Sequence, residues 1–353
     1  MEIPTYDEDA DLSGFSGTRR GARLAGSFLV FAGLLSAQPV HAVGNIFRPL
    51  ATPAGLVSDL SILTLVICAG VFLIVASLLA YAVIRFGYRE GDSRSEPAQV
   101  YGSNQVEIAW TVIPILIVFV LTMATARITS AVQDRPMPQD AVNVTVIGHQ
   151  WWWEFRYTDL KIVTANELHV PLSTMAQPKL TSLTLQSADV AHGFWVPQLA
   201  GKTDVIPNRT NHMWIDPQEL GTYLGNCSQY CGTQHAKMQL RVVVETPEDF
   251  EKWVAQQQAP APESAENQGA FLSSACIACH TVTGTRASGK LGPDLTHLMS
   301  RETIAATEVP MNGATLRDWI RDPQRLKPGN KMPTVKLSDP QLDQMVAYLT
   351  TLK

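Results

Sequence analysis

Apolar and polar residues are distributed along this chain in three different rhythms. Residues 60–84, LSILTLVICAGVFLIVASLLAYAVI, carry no charge, and 108–126, IAWTVIPILIVFVLTMATA, are uncharged between Glu107 and Arg127. Each is close to the ~20 apolar residues a helix needs to cross a bilayer, so two spanning helices are expected. Pro114 is tolerable there because neighbouring helices can satisfy the carbonyl it frees. An earlier stretch, TRRGARLAGSFLVFAGLLSAQPVHA, has an Arg-rich start, a shorter apolar run from Leu24 to Leu35 and a small-residue end at Ala42. That is the pattern of a secretory signal, so removal of 1–42 is expected, with Arg19-Arg20 leaving twin-arginine or general export open. Arg85, Arg89 and Arg94 lie between the spans, against only Arg48 before them. The short loop therefore faces the cytoplasm, and both ends of the hairpin lie outside.

Beyond the second span the rhythm changes to alternation. VNVTVI and LTSLTLQ alternate apolar and polar positions, and MQLRVVVE is β-branched and apolar, which predicts strands of an all-β sandwich or barrel. Thr246 reads as an N-cap and Pro247 as the first position of a helix, PEDFEKWVAQQQ. Residues 256–268 have no periodicity and read as a linker. From 269 the pattern is helical: Ser338 and Gln341 form a capping-box pair, and Leu342, Met345, Val346 and Leu349 share one face. The expected fold class is a multidomain membrane protein. It has a transmembrane hairpin within 43–131, an all-β domain over 132–255, and an all-α domain over 269–353.

A net charge of −5 with no Lys/Arg-rich run gives no sign of a nucleic-acid partner. The chemistry is concentrated in two places. GNCSQYCGTQHAKM, residues 225–238, brings together Cys227, Cys231, His235 and Met238. A local disulfide would leave His235 and Met238 unexplained, and zinc seldom takes a thioether. Thiolate, imidazole and a weak Met describe copper electron-transfer sites, and a second thiolate argues for a second metal ion. A further imidazole is then needed. His192, in SADVAHGFWVP, is favoured by context over His149, His169 and His212. The second place is CIACH, Cys276 to His280, the pattern for covalent haem c attachment, with both thiols bonded to the porphyrin and His280 on the iron. Met332, in the loop KPGNKMPTV, is the expected sixth ligand, ahead of Met299, Met311, Met345 and His297.

The series HGFWVP, GKTDVIPNRTN and CSQYCGTQHAKM, after a membrane hairpin and GHQWWWEF, resembles subunit II of the haem–copper cytochrome c oxidases, from about residue 45 to 255. Residues 264–353, with CIACH, LGPDL and KPGNKMPTV, resemble class I cytochrome c. The first resemblance implies a cupredoxin barrel with a dinuclear copper A centre. Cys227 and Cys231 would bridge the ions, His192 and His235 would each hold one, and Met238 and the Gln229 backbone carbonyl would complete the set. Trp151 matches the tryptophan through which electrons enter, Asp189 an acidic docking residue, and Glu107 the glutamate at the cytoplasmic mouth of a proton pathway. Relatives usually carry Glu where this chain has Gln229. A neutral amide is a poorer ligand for a hard cation, so the magnesium of the subunit I interface is not expected here.

The function implied is that of an electron-transfer subunit of a terminal, proton-translocating oxidase. It would relay electrons from a cytochrome c or bc1-type donor, through its own haem c and copper A, to haem in subunit I. Oxygen reduction and pumping would lie in that partner, as the hairpin interior is almost without ionisable groups. The implied location is a bacterial inner membrane, with both redox domains on the periplasmic or outer face, among other oxidase subunits and lipid. Competing readings are the copper A subunit of a nitric or nitrous oxide reductase, a quinol-oxidase subunit, and a copper chaperone.

Overall fold

A computed structural model describes residues 44–87, 99, 101–261 and 267–353. The signal segment with Arg19-Arg20 and Ala42, the loop residues Arg89 and Arg94, and most of the expected linker's second half lie outside the described residues. The two apolar runs fall within long helices, α1 (Thr52–Phe86) and α2 (Asn104–Gln133). Their side chains are mostly exposed, as expected of surfaces that face lipid rather than protein. α1 begins ahead of its apolar run because the Asp216 carboxylate accepts from Thr52 N (2.7 Å) and Thr52 Oγ1 (2.6 Å). It thereby satisfies an amide that a helix start leaves unpaired. α2 ends against the same β-rich domain: Trp214 Nε1 donates to the Val132 carbonyl at 2.8 Å, and the Arg135 guanidinium lies 4.4 Å over the Trp214 ring. Both outer ends of the hairpin are thus fastened to that domain.

The alternating segment folds into two five-stranded sheets. The first has the order β3 (Ile162–Ala165), β2 (Trp152–Tyr157), β1 (Val142–His149), β5 (Thr181–Ser187), β8 (Asn211–Ile215). The second runs β4 (Glu167–Pro171), β10 (Gln239–Glu245), β9 (Gly221–Cys227), β6 (His192–Trp195), β7 (Thr203–Val205). Val144 and Val146 on β1, Trp153, Phe155 and Tyr157 on β2, and Leu240, Val242 and Val244 on β10 all point into one core. This is the period-2 patterning of a half-buried strand. A fully buried side chain of this size contributes about 1.5–3 kcal/mol, so slipping β10 by one residue would forfeit several such contributions. The helix α3 (Pro247–Gln258) comes next, with Thr246 Oγ1 accepting from Asp249 N at 3.1 Å. It places Phe250 and Trp253 against the same core.

The C-terminal region is helical: α4 (Gln268–Leu272), α5 (Gly313–Arg321), α6 (Pro323–Leu326) and α7 (Asp339–Leu349), with a small ribbon of β11 (Thr303–Ile304) and β12 (Val309–Pro310). Ser338 N donates to Gln341 Oε1 at 3.0 Å at the start of α7. Phe271, Leu316, Ile320, Leu342, Met345 and Tyr348 form a second core. Met345 is a packing residue there. The expected fold class, hairpin then all-β domain then helical domain, is the one observed.

Candidate metal centre

β9 ends on Cys227 and β10 starts at Gln239, so residues 228–238 form the loop between two paired strands. Cys227 N donates to the Met238 carbonyl at 3.0 Å, closing that loop at its base. β6 lies beside β9 with Phe194 opposite Cys227, which brings His192 alongside from the neighbouring strand. Gly193 lets the two segments approach closely: a Cβ there would press on the Ser228 side chain and come within 3.0 Å of Gln229 N.

The donor atoms converge. Cys227 Sγ and Cys231 Sγ are 3.8 Å apart, His192 Nδ1 is 3.9 Å from Cys227 Sγ, and His235 Nδ1 is 3.6 Å from Cys231 Sγ. Met238 Sδ lies 3.8 Å from Cys231 Sγ, and the Gln229 carbonyl 3.1 Å from Cys227 Sγ. His192, Cys227 and Cys231 are buried and their ligand atoms lie within 4.8 Å of one another. Such separations suit atoms that share first-row metal ions at bond lengths of about 2.0–2.3 Å. All the cysteines are free thiols. The two site thiols form a pair: hydrogen bonding from Cys231 holds the Cys227 thiol well below its usual value against the opposing effect of burial, and the same contact pushes the Cys231 thiol up. A second thiolate beside the first is unfavourable until positive charge arrives, which metal ions would supply.

The surroundings hold this set rigidly. Burial works to lower the His192 pKa, but hydrogen bonds to Asp189 and Cys227 outweigh it and raise it. Asp189 Oδ1 sits 2.8 Å from His192 Nε2 and also accepts from Val190 N at 2.7 Å, while Oδ2 accepts from Gln150 N at 2.7 Å. Burial tends to raise the Asp189 carboxyl, and these hydrogen bonds, led by that from His192, hold it well below its usual value. The carboxylate thus fixes the imidazole with Nδ1 towards the sulfurs, the outer partner that metal-binding histidines usually have.

Trp151 lies just outside β2. It precedes β2 in a turn, while Trp153 is buried in the core and Trp152 stacks on His149 with centroids 4.2 Å apart. The turn aims the indole at the metal loop: Trp151 Nε1 donates to the Cys231 carbonyl at 3.0 Å, and Gln150 Nε2 donates to the same oxygen at 2.8 Å. Gly232, at φ +114, leaves room for that ring. The three competing histidines are engaged elsewhere: His149 with Glu154 (2.9 Å), His169 with Glu245 (3.2 Å) and His212 with Thr184 (3.4 Å). Glu107 is exposed in the first turn of α2 and is not part of this cluster.

In the C-terminal domain Cys276 lies within a short helical turn, Ala275–Ala278, and Cys279 caps it just before His280. His280 Nδ1 donates to the Pro293 carbonyl at 2.8 Å, which leaves Nε2 as the nitrogen for a metal, and burial lowers its pKa. Gly292 packs against the ring, where a Cβ would come within 2.6 Å of His280 Cε1. Met332 is half-buried in a loop whose shape is set by Gln324 and Asn330: Gln324 Nε2 donates to the Met332 carbonyl (3.0 Å) and Met332 N to Asn330 Oδ1 (2.8 Å). That loop rests on the β-domain. Lys237 Nζ reaches the Leu326 carbonyl at 3.3 Å, and Lys331 Nζ lies 3.4 Å from Asp189. Sequence patterns gave no hint of Lys327, which is buried beside the metal loop and pushed down by that burial to about 8.

Residues 43–128 match the family described as Cytochrome C oxidase subunit II, transmembrane domain, residues 175–246 its periplasmic domain, and residues 264–353 Cytochrome c. The cytochrome c oxidase subunit 2 of Alkalihalophilus pseudofirmus is 34% identical over 315 residues, covering 86% of this chain and 90% of that one. The same subunit of Bacillus sp. strain PS3 is 34% identical over 291 residues, covering 76% and 80%. Among solved structures, the periplasmic domain of subunit II of cytochrome oxidase (CoxB) of Bradyrhizobium japonicum is similar at 28% identity with a TM-score of 0.32. It covers 35% of this chain and 97% of that one. With both halves of the subunit matched in order and relatives alike over most of their length, the chain belongs to the cytochrome c oxidase subunit II family and carries a C-terminal cytochrome c domain.

Proposed function

We propose that this chain is the electron inlet of a haem–copper oxidase. Its cytochrome domain takes electrons from an external cytochrome donor, and its β-domain hands them to subunit I, where oxygen is reduced to water with proton pumping. The observation that carries this reading is the convergence of two free thiols, two imidazoles, a thioether and a backbone carbonyl where the 228–238 loop meets β6. His192, Cys227, Gln229 (through its carbonyl), Cys231, His235 and Met238 would hold two coppers. Cys276, Cys279, His280 and Met332 would hold one haem c. Bound there, the coppers and the haem would supply one-electron transfer.

The residues of this chain do the rest. Asp189 fixes the tautomer of His192, Gln150 and Trp151 clamp the carbonyl of Cys231, and the core behind β6 and β9 excludes water. Trp151 touches both the metal loop and, through its own carbonyl, the cytochrome domain. It is the side chain best placed to lie on the electron path. Both redox domains lie on the periplasmic or outer face. The test is donor-driven oxygen uptake by the complex assembled with its partner subunits. His192→Ala should abolish uptake while leaving the haem spectrum of the cytochrome domain intact. Uptake that survives this change, or turnover with nitric or nitrous oxide in place of oxygen, would overturn the reading.

A further inference from the structure

Two buried charges cross the boundary between the β-domain and the cytochrome domain in opposite directions. Lys327, of the cytochrome domain, is 3% exposed. Its Nζ donates to the carbonyls of Trp151 (2.9 Å) and Lys237 (2.7 Å) in the β-domain and of Ala305 (3.2 Å) in its own domain. Three acceptors match the three protons of an ammonium. Glu167, on β4, is 1% exposed and points the other way. It accepts from Glu302 N (2.9 Å), Thr303 N (2.8 Å) and Thr303 Oγ1 (2.6 Å), all in the cytochrome domain.

A buried charge is tolerated only where its hydrogen-bonding capacity is met. Sliding one domain over the other by a single residue would leave both groups buried without partners. The segment between the two contacts supports the same conclusion. Ala305, Ala306 and Thr307 have φ of 61°, 60° and 70°, three successive non-glycine residues in the left-handed region that L-residues avoid. Contacts hold them there: Lys327 on the Ala305 carbonyl, burial of Ala306, and a 2.7 Å hydrogen bond from Thr307 Oγ1 to Gln239 Oε1. A surface used for brief collisions has no reason to keep such a conformation. Flanking ion pairs, Arg241 with Glu302 (2.9 Å) and Lys237 with Glu308 (3.0 Å), are more exposed and secondary.

We propose that Lys327 and Glu167 form a two-point buried lock that holds the cytochrome domain in one register over the metal-ligand loop. The domain is then a fixed part of the molecule and not a tethered carrier that searches for its acceptor. Lys327 is a positioning residue: it grips the carbonyl of Trp151, which packs on the metal loop, and that of Lys237, within the loop, without touching a ligand atom. The lock itself is independent of the metals. Its consequence, delivery of electrons without a domain search, rests on the function proposed above.

Amide hydrogen exchange on the full chain in detergent tests the lock. The amides of Glu302 and Thr303 should be protected in the native chain. Lys327→Met should raise their exchange about tenfold or more, as expected from losing charge-assisted hydrogen bonds, although neither amide touches Lys327. Reciprocally, Glu167→Gln should speed acylation of the Lys327 amine by a similar factor. If Lys327→Met does not fold, the Glu167→Gln arm decides alone. Exchange at 302–303 within twofold of native in a folded Lys327→Met chain, or unchanged acylation in Glu167→Gln, would overturn the proposal. In the metal-loaded chain, haem-to-copper transfer should be insensitive to solvent viscosity and salt, and a rate that falls with viscosity would also overturn it. Should copper or haem prove absent, the exchange and acylation arms still read the lock, so the two failures are distinguishable.

Discussion

Replacing Asp189 by Asn preserves the size of the side chain and removes its charge. In the native chain the carboxylate meets three donors: Gln150 N at 2.7 Å, Val190 N at 2.7 Å and His192 Nε2 at 2.8 Å. An amide offers one acceptor oxygen, and its nitrogen would face either a backbone N–H or the imidazole N–H, donor against donor. At least one hydrogen bond to a charged group is therefore lost, worth about 1.5–3 kcal/mol, and the imidazole loses the partner that turns Nδ1 towards Cys227. Losing such an outer partner typically lowers metal affinity about 10–100-fold. That corresponds to about 1.4–2.7 kcal/mol, the same size as the hydrogen-bond estimate. The contact between Asp189 and Lys331, at 3.4 Å with the lysine more than half exposed, adds little because surface pairs are screened. Competition titration of copper against a chelator, on the full chain at fixed pH, measures the effect. Copper affinity in Asp189→Asn within about twofold of native would refute the role given to this carboxylate.

Other outcomes rest on the same geometry. Met332→Ala should lower the haem potential or open the iron to carbon monoxide, and an unchanged spectrum would move the sixth ligand elsewhere. Tyr157→Phe removes a hydroxyl that donates to the His169 carbonyl (2.7 Å) and accepts from His169 N (2.8 Å). Leaving those groups unpaired in the core should cost about 1–3 kcal/mol in urea unfolding, and a midpoint identical to native would contradict that. For Glu154, burial opposes ionisation, but hydrogen bonds from His149 and Arg156 win and lower its pKa from 4.5. A depressed carboxylate stabilises the fold above its unfolded value and loses that contribution as pH falls through the folded one. Glu154→Gln should therefore flatten the acid limb of the stability profile below about pH 4.5, and an unaltered limb would show that Glu154 contributes nothing there.

Features written in local pattern were legible from the chain alone. The apolar runs, the alternation in VNVTVI and MQLRVVVE, the Cys227–Met238 spacing and CIACH each depend on residues close in sequence. What escaped was set by long-range contact. Three tryptophans in a row look like one continuous strand, yet the chain turns before Trp152 so that the Trp151 indole reaches the Cys231 carbonyl. Asp189 read as a surface docking group, since nothing local reveals a carboxylate turned inward onto His192 and the Gln150 amide. Lys327 lies 176 residues from Trp151, and Glu167 is 136 residues from Thr303. No local periodicity links such pairs, and a charged residue in a polar stretch is ordinarily solvated. Context favours His192 over the other histidines, and the physical reason it lies beside the cysteines emerges only when β6 is seen next to β9.

The central claim, that Cys227 and Cys231 hold a pair of coppers as one redox unit, is tested most directly by electron paramagnetic resonance with metal analysis on the purified chain. Two coppers per chain with a seven-line hyperfine pattern, from one electron shared equally between both nuclei, is the predicted result. A single copper with a four-line pattern would contradict it.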